Sequence, residues 1–402
     1  MIKIGIIKEG KLPPDWRVPF SPRQCRNIED RFIGVKILVE SSNIRCYSDE
    51  EYIAEGIEVS NDISECDIIM GVKEVPLNKL YSNKTYFFFS HTIKEQPYNS
   101  KLLQTVLKRN IRLIDYETLT DVNGFRLLGF GKWAGIVGAY NGLYAWGEKH
   151  GSFRLKRAYL CKSREDVNEE LKKVRLPSVK IILTGCGRVG KGAKETLDRI
   201  NMRFVSVDDF VNKEFDEAVC CQVDADEYRK HKDGKPFDYG HFFANPQEYT
   251  STFWRFAKVA DIHIACHFWD PKAPVFYTKE DMRKSEFNIK LVADISCDIN
   301  GPIASTIRAC SIEKPIYGYN TDTGKEVDFR NKDAVTVMAV DNLPCELPRE
   351  SSEDFGQTLI ERVLPHIFNE DPDRIIERAT IAKNGQLMPN YSYLQNYVET
   401  RD

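Results

Sequence analysis

Six residues over Gly185-Cys186-Gly187-Arg188-Val189-Gly190 spell G-x-G-x-x-G. They follow the apolar run Val179-Lys180-Ile181-Ile182-Leu183 and precede Ala193, Leu197 and Ile200 at helical spacing. Glycines between a strand and a helix are built for a dinucleotide. Gly185 permits the tight turn, Gly187 lets the backbone approach a pyrophosphate, and Gly190 allows close helix–strand packing; the helix N-terminus, with Arg188 and Val189 in its first turn, receives the phosphate charge. The next apolar stretch, Phe204 to Val207, ends in Asp208-Asp209. An acid about twenty residues past the first glycine hydrogen-bonds the adenosine ribose and repels a 2′-phosphate, which favours NAD over NADP. Gly185 to Lys191 also fits the start of a triphosphate-binding loop. Position 192 is glycine, so the hydroxyl that would ligate magnesium is missing.

A second set of reactive residues precedes this unit. Lys73 and Glu74 follow the run ending at Val72, and His91 follows Phe87-Phe88-Phe89-Ser90. Ionisable groups just past buried strand ends are where α/β proteins build ligand sites. A desolvated lysine there drops toward the range of a general base, and histidine titrates near neutrality. Arg17 and Arg126 would bind anions if they face the same place. His267, after Ile262 to Ala265, occupies a strand end that in a dinucleotide fold lies near the nicotinamide, or else is a packed loop histidine.

The elements that must position these groups read as an α/β protein. Ile2–Ile7, Val35–Val39, Asp67–Val72, Tyr86–Ser90 and Ile111–Asp115 are near-continuous apolar runs, the pattern of strands covered on both faces. A second set follows at Val179–Leu183, Phe204–Val207, Ile262–Ala265, Leu291–Ile295 and Val335–Val340. Gly129, Gly131, Ala134, Gly135, Gly138, Ala139 and Gly142 give a helix with a small-residue face, read as a long connection between two lobes. Residues 162–173 read as a charged loop, and 216–255, polar and aromatic without clear periodicity, as an insertion. The expected fold is two Rossmann-like lobes with a cleft between them and a central nucleotide-binding unit.

Composition narrows the function classes. The 402 residues carry 57 Lys and Arg against 60 Asp and Glu, without the basic excess of a nucleic-acid or membrane-surface protein. No apolar run approaches the ~18 residues of a membrane span, and no cationic leader is visible. Eleven cysteines without a C-x-x-C pair suit a reducing cytoplasm better than a disulfide framework or a zinc site.

Several stretches resemble the alanine dehydrogenase and transhydrogenase superfamily. They are Lys8-Glu9 with Trp16-Arg17-Val18-Pro19 and Ser21-Pro22; Gly71-Val72-Lys73-Glu74; Phe88 to Lys94; Arg112 to Glu117; Phe130-Gly131-Lys132-Trp133-Ala134-Gly135; Asp294-Ile295-Ser296; Val340 to Pro344 with Leu347-Pro348; and Asn384-Gly385 with Tyr391 to Tyr397. Within that superfamily the chain is most similar to the lysine-forming saccharopine dehydrogenases and to the lysine–2-oxoglutarate reductase domain of aminoadipic semialdehyde synthases. Alanine dehydrogenases carry a different segment where this chain has Phe130 to Gly135. The resemblance implies a split substrate domain, residues 1–135 and 349–402, around a dinucleotide domain at 136–348. It implies Lys73 and His91 as an acid–base pair, Arg17 and Arg126 as carboxylate ligands, Glu74 and Glu117 in the ionic network, and Asp341 at the edge of the cofactor domain. The implied reaction is reversible NAD(P)-dependent condensation of L-lysine with 2-oxoglutarate to saccharopine. An alanine dehydrogenase-like enzyme and a non-catalytic NAD(P)-sensing protein are the alternatives. The reductase domains use NADPH, whereas the Asp208-Asp209 pair favours NAD.

Overall fold

A computed structural model describes residues 1–399. The described residues divide into two compact units, one formed by residues 1–130 with 348–399 and the other by 131–347.

The first unit is built on one eight-stranded sheet. Its first six strands are β1 (Ile2–Ile6), β2 (Val35–Glu40), β3 (Glu58–Ser60), β4 (Ile68–Met70), β5 (Thr85–Phe88) and β6 (Arg112–Asp115). The order across the sheet is Gln386–Leu387, Thr380–Lys383, β6, β5, β4, β1, β2, β3. β1 to β6 pair in parallel, and Thr380–Lys383 joins β6 antiparallel, returning the end of the chain to this unit. Both faces are covered, as the apolar runs imply: Phe87 belongs to one hydrophobic cluster, while Tyr86 and Phe88, pointing the other way, belong to another. β1 has β2 on one side and β4 on the other, so the strand order reverses there, where α/β sheets open a ligand crevice.

The second unit holds another eight-stranded sheet and a small hairpin. Its strands are β7 (Lys180–Thr184), β8 (Arg203–Phe204), β9 (Val219–Val223), β10 (Arg229–His231), β11 (Tyr249–Ser251), β12 (Ile262–Ala265), β13 (Leu291–Asp294), β14 (Ile316–Asn320), β15 (Lys325–Val327) and β16 (Ala334–Met338). The sheet runs β15-β14-β16-β13-β12-β7-β9-β8, with β14 and β15 antiparallel, and β10 and β11 form the separate hairpin. Here the order reverses at β7, flanked by β12 and β9.

Three sequence readings change. The small-residue helix spans Gly131–His150 and lies wholly inside the second unit, so a boundary at 135 would cut it. Its glycines serve close packing rather than a linker. A Cβ on Gly135 would stand 1.9 Å from the Val189 carbonyl oxygen, on the helix that follows the glycine loop. Residues 162–173 include the helix Arg164–Leu171, whose N-cap Ser163 accepts from Asp166 N–H. The stretch 204–207 is strand only to Phe204, because Ser206 caps a new helix, Val207–Asn212. No helix among the described residues is long and apolar enough to cross a membrane.

Candidate functional site

In the first unit the ionisable residues gather past the carboxyl ends of β1, β4, β5 and β6. Glu9, beyond β1, is buried, and its carboxyl accepts the backbone N–H of Val72 at 2.6 Å and of Lys73 at 3.0 Å. Burial and then the Asp15 charge push Glu9 up to about 8, against those two donors. Lys73, beyond β4, is desolvated, and burial and then the Arg17 guanidinium lower its pKa from 10.5. Glu74 takes an ion pair from Lys11 at 3.0 Å and stands 3.5 Å from His91 Nδ1.

His91 follows β5 in left-handed backbone, φ +54°, a conformation uncommon outside glycine. Asp115, at the end of β6, secures this turn by accepting Ser90 N–H at 2.9 Å, the Ser90 hydroxyl, and Glu117 N–H at 2.7 Å. Burial raises Asp115 to about 6. Burial lowers His91 below its ordinary 6.5, opposed by the Glu74 charge.

Both arginines reach this region, and each is already engaged. Arg17 clamps Asp15 through two bonds, Nε–Oδ1 at 2.9 Å and Nη2–Oδ2 at 2.6 Å, with both side chains buried. Burial opposes ionisation of Asp15, yet the Arg17 guanidinium holds its carboxyl well below the usual carboxylate range. Arg17 also lies 4.2 Å over the Phe130 ring, which stacks on Phe355 from the returning segment. Arg126 stands 3.6 Å from Glu117, which also pairs with Lys94 at 3.1 Å. The six residues named from the sequence are thus in one neighbourhood, together with Glu9, Asp15 and Asp115, which sequence reasoning did not assign to the site. Glu9 and Asp115 follow or end apolar runs, the same signal that singled out Lys73 and His91.

The second unit holds a cavity of about 560 Å³ at the point where its strand order reverses. Gly185 to Val189 form one side, and Cys266, His267, Phe268 and Trp269, past β12, another. Gly185 has φ +99°, and a Cβ on Gly190 would lie 2.0 Å from the Gly185 carbonyl oxygen. A Cβ on Gly187 would meet nothing within 4 Å. The loop is therefore a bare backbone cradle open to the cavity, which fits a pyrophosphate at the N-terminus of helix Arg188–Asp198.

His267 is buried and neutral, its pKa driven well below 6.5 by burial. Its Nδ1 is 3.1 Å from Thr184 Oγ1, while its Nε2 has no hydrogen-bond partner. The Phe276 ring packs against it at a centroid separation of 4.3 Å.

The acid at this cavity differs from the expected one. Asp208 and Asp209 lie in helix Val207–Asn212, where Asp208 accepts from Asn212 and Asp209 pairs with Lys213, and neither lines the cavity. The strand beside β7 is β9, not β8, and the residue past its end is Asp224, which does line the cavity. Asp341 is solvent-exposed and is not part of the lining. The stretch 216–255, opaque in the sequence, supplies a wall: Asp224, Tyr228, Arg229, Tyr239, Phe242 and Phe243. Arg229 is buried over the Phe276 ring at 4.5 Å, and burial lowers its pKa to about 10.

Residues 5–137 match the family described as alanine dehydrogenase/PNT, N-terminal domain. The chain is 31% identical to the mitochondrial alpha-aminoadipic semialdehyde synthase of Mus musculus, over 96% of this chain and 47% of that protein. It is 25% identical to the NAD⁺-dependent, L-lysine-forming saccharopine dehydrogenase of Yarrowia lipolytica, over 90% of this chain and 92% of that one. The chain spans about half the length of the semialdehyde synthases it matches. Among solved structures, an L-alanine dehydrogenase superposes with a TM-score of 0.67 at 15% identity, over 99% of this chain and 100% of that chain.

Proposed function

We propose that this chain, whose residues 5–137 match the alanine dehydrogenase/PNT N-terminal domain, is an NAD(P)-dependent oxidoreductase acting on CH–NH bonds. Its substrates are L-lysine and 2-oxoglutarate, joined reductively to saccharopine, with the reverse oxidation open to the same groups. The observation that carries this reading is the pair Lys73 and His91 past neighbouring parallel strands, both with pKa values lowered by burial.

The lysine ε-amine must be neutral to attack the ketone, and the adduct must lose water. Lys73, whose ammonium is destabilised by burial and by Arg17, takes the amine proton. His91 delivers a proton to the departing oxygen, with Glu74 orienting it and supporting its charged form. Saccharopine carries three carboxylates, and Arg17 and Arg126 are the cations proposed to receive them, with Glu117 and Asp15 setting their positions. A bound nicotinamide dinucleotide supplies the hydride that completes the reduction.

The cradle Gly185–Gly190 would hold the pyrophosphate and Asp224 would accept the ribose hydroxyls, and His267, whose Nε2 has no hydrogen-bond partner, lines the same cavity. An acid at Asp224 supports NAD as the cofactor, with NADP as the poorer one. Eleven free cysteines support a reducing compartment. The deciding experiment offers keto-acid and amine pairs with NADH and NADPH in parallel. Oxidation of the cofactor only when lysine and 2-oxoglutarate are both present is the expected result. Turnover with pyruvate and ammonia instead would make this an alanine dehydrogenase, and cofactor binding without any turnover a nucleotide sensor.

A further inference from the structure

The hairpin β10–β11 and the loop it encloses bring together two histidines and a glutamate that the proposed reaction does not use. His231 ends β10, His241 lies on the short helix Tyr239–Ala244, and Glu248 immediately precedes β11. One ligand atom from each falls within 4.8 Å of the others. We propose that His231 Nε2, His241 Nε2 and the Glu248 carboxylate form a site for a divalent transition metal ion of the zinc type.

The spacing matches the chemistry. Bonds of about 2.0–2.1 Å from a tetrahedral ion set its ligand atoms about 3.3 Å apart. His231 Nε2 is 3.4 Å from Glu248 Oε2, and His241 Nε2 is 3.7 Å from the same atom. Those two separations need only a few tenths of an ångström of closure, and the three ligand atoms all lie within 4.8 Å of one another. His231 is 3% exposed, and its Nε2, although close to Glu248, has no hydrogen-bond partner. A buried, unsatisfied ring nitrogen beside a carboxylate is costly alone and is satisfied by an ion between them.

The surrounding groups suit ligation. His241 Nδ1 lies 3.2 Å from the Tyr249 hydroxyl, which in turn faces the Asp238 carbonyl at 3.4 Å. A proton on Nδ1 donated to that hydroxyl leaves the Nε2 lone pair for the ion. His231 Nδ1 accepts Asp233 N–H at 3.1 Å, which favours a proton on Nε2 before metal binds. Ligation through Nε2 moves the ring proton to Nδ1, which gives up the bond from Asp233 N–H, and the Asp233 carboxylate, 3.9 Å away, closes in to accept that proton in the carboxylate–histidine–metal arrangement. Two imidazoles and a carboxylate select zinc or cobalt over calcium or magnesium, and the fourth position stays open to water. The ion would tie a strand end, a helix and a turn together within the loop that carries Tyr239, Phe242 and Phe243 to the cavity wall.

The test uses the full-length protein, stripped with chelator and then titrated with Zn²⁺ against a chromophoric competitor, and with Co²⁺ for its visible spectrum. Wild type should bind one equivalent and give the intense bands of a tetrahedral cobalt site. His241→Gln and Glu248→Gln should each weaken Zn²⁺ roughly 10²-fold or more, because outer-shell partners alone are worth 10–100-fold. Asp233→Asn should weaken it by about 10-fold or more. His231 is buried and its replacement puts the fold of the hairpin at risk, so the test rests on the two half-buried ligands, whose variants should keep the metal-free wild-type melting temperature. A wild type that retains no equivalent, or a Glu248→Gln variant that binds as tightly, overturns the proposal.

Discussion

Glu9 grips the backbone of Lys73: one carboxyl oxygen accepts Lys73 N–H at 3.0 Å and the other accepts Val72 N–H at 2.6 Å, across the ends of β1 and β4. The group that aims the proposed base is therefore itself a titrating acid, raised by burial to about 8. With the folded-state pKa above the unfolded one, the native chain binds the extra proton between about 4.5 and 8. Stability is then greatest below that window and falls as pH rises through it. Glu9→Gln should flatten this slope. Denaturant unfolding at pH 5 and pH 9 measures it, and an identical loss in wild type and variant would refute the assignment.

Lys73→Met should lower turnover by about 10² to 10⁴, the range for losing a general acid–base group, and His91→Gln by a similar or smaller factor. Burial lowers both pKa values, so the limb set by His91 lies below 6.5 and that set by Lys73 below 10.5. Each variant should lose its own limb of the pH–rate profile. Two bell-shaped profiles at wild-type rates would dismiss the pair.

Lys73 and His91 were legible because a buried parallel strand writes itself as an unbroken apolar run, and the first ionisable residue after it stands at a strand end. The same logic did not bring an acid to the cavity: Asp208 lies in a helix outside its lining, whereas Asp224 lines it. β9, Val219–Val223, is a short run that includes the polar Gln222, and it lies beside β7 although β8 comes first in the chain. Strand neighbourhood is a long-range pairing that local pattern does not carry. Ser206 followed by Asp209 was a readable helix start that argued against a strand running to Asp208. The hairpin that brings His231, His241 and Glu248 together is likewise a tertiary event, invisible in a stretch without periodicity.

Asp224→Ser should raise the NADPH-to-NADH ratio of kcat/KM by roughly tenfold or more. It removes a charge-assisted bond of about 1.5–3 kcal/mol to the ribose and the repulsion of a 2′-phosphate, with Arg188 and Arg229 left in the same cavity wall. Asp208→Ser, on a helix outside the lining, should leave the ratio unchanged. The reverse pattern would return the role to Asp208.

Two glycines separate packing from binding. At Gly135 a methyl would stand 1.9 Å from the Val189 carbonyl oxygen and 2.7 Å from Ala193 nitrogen, both backbone, so helix Gly131–His150 must move away from helix Arg188–Asp198. Gly135→Ala should cost about 1–3 kcal/mol or more of stability, read as a lower melting temperature without cofactor. At Gly187 the added methyl meets no protein atom within 4 Å and projects into open space beside the cavity it lines. Gly187→Ala should therefore melt within about 0.5 kcal/mol of wild type, as an unstrained surface change does. It should nevertheless weaken the dinucleotide about tenfold or more, because the methyl stands where backbone must approach the pyrophosphate. Calorimetric titration with NADH beside thermal melts distinguishes the two effects. A Gly187→Ala protein that melts normally and binds as tightly as wild type would show that this loop does not cradle the phosphates.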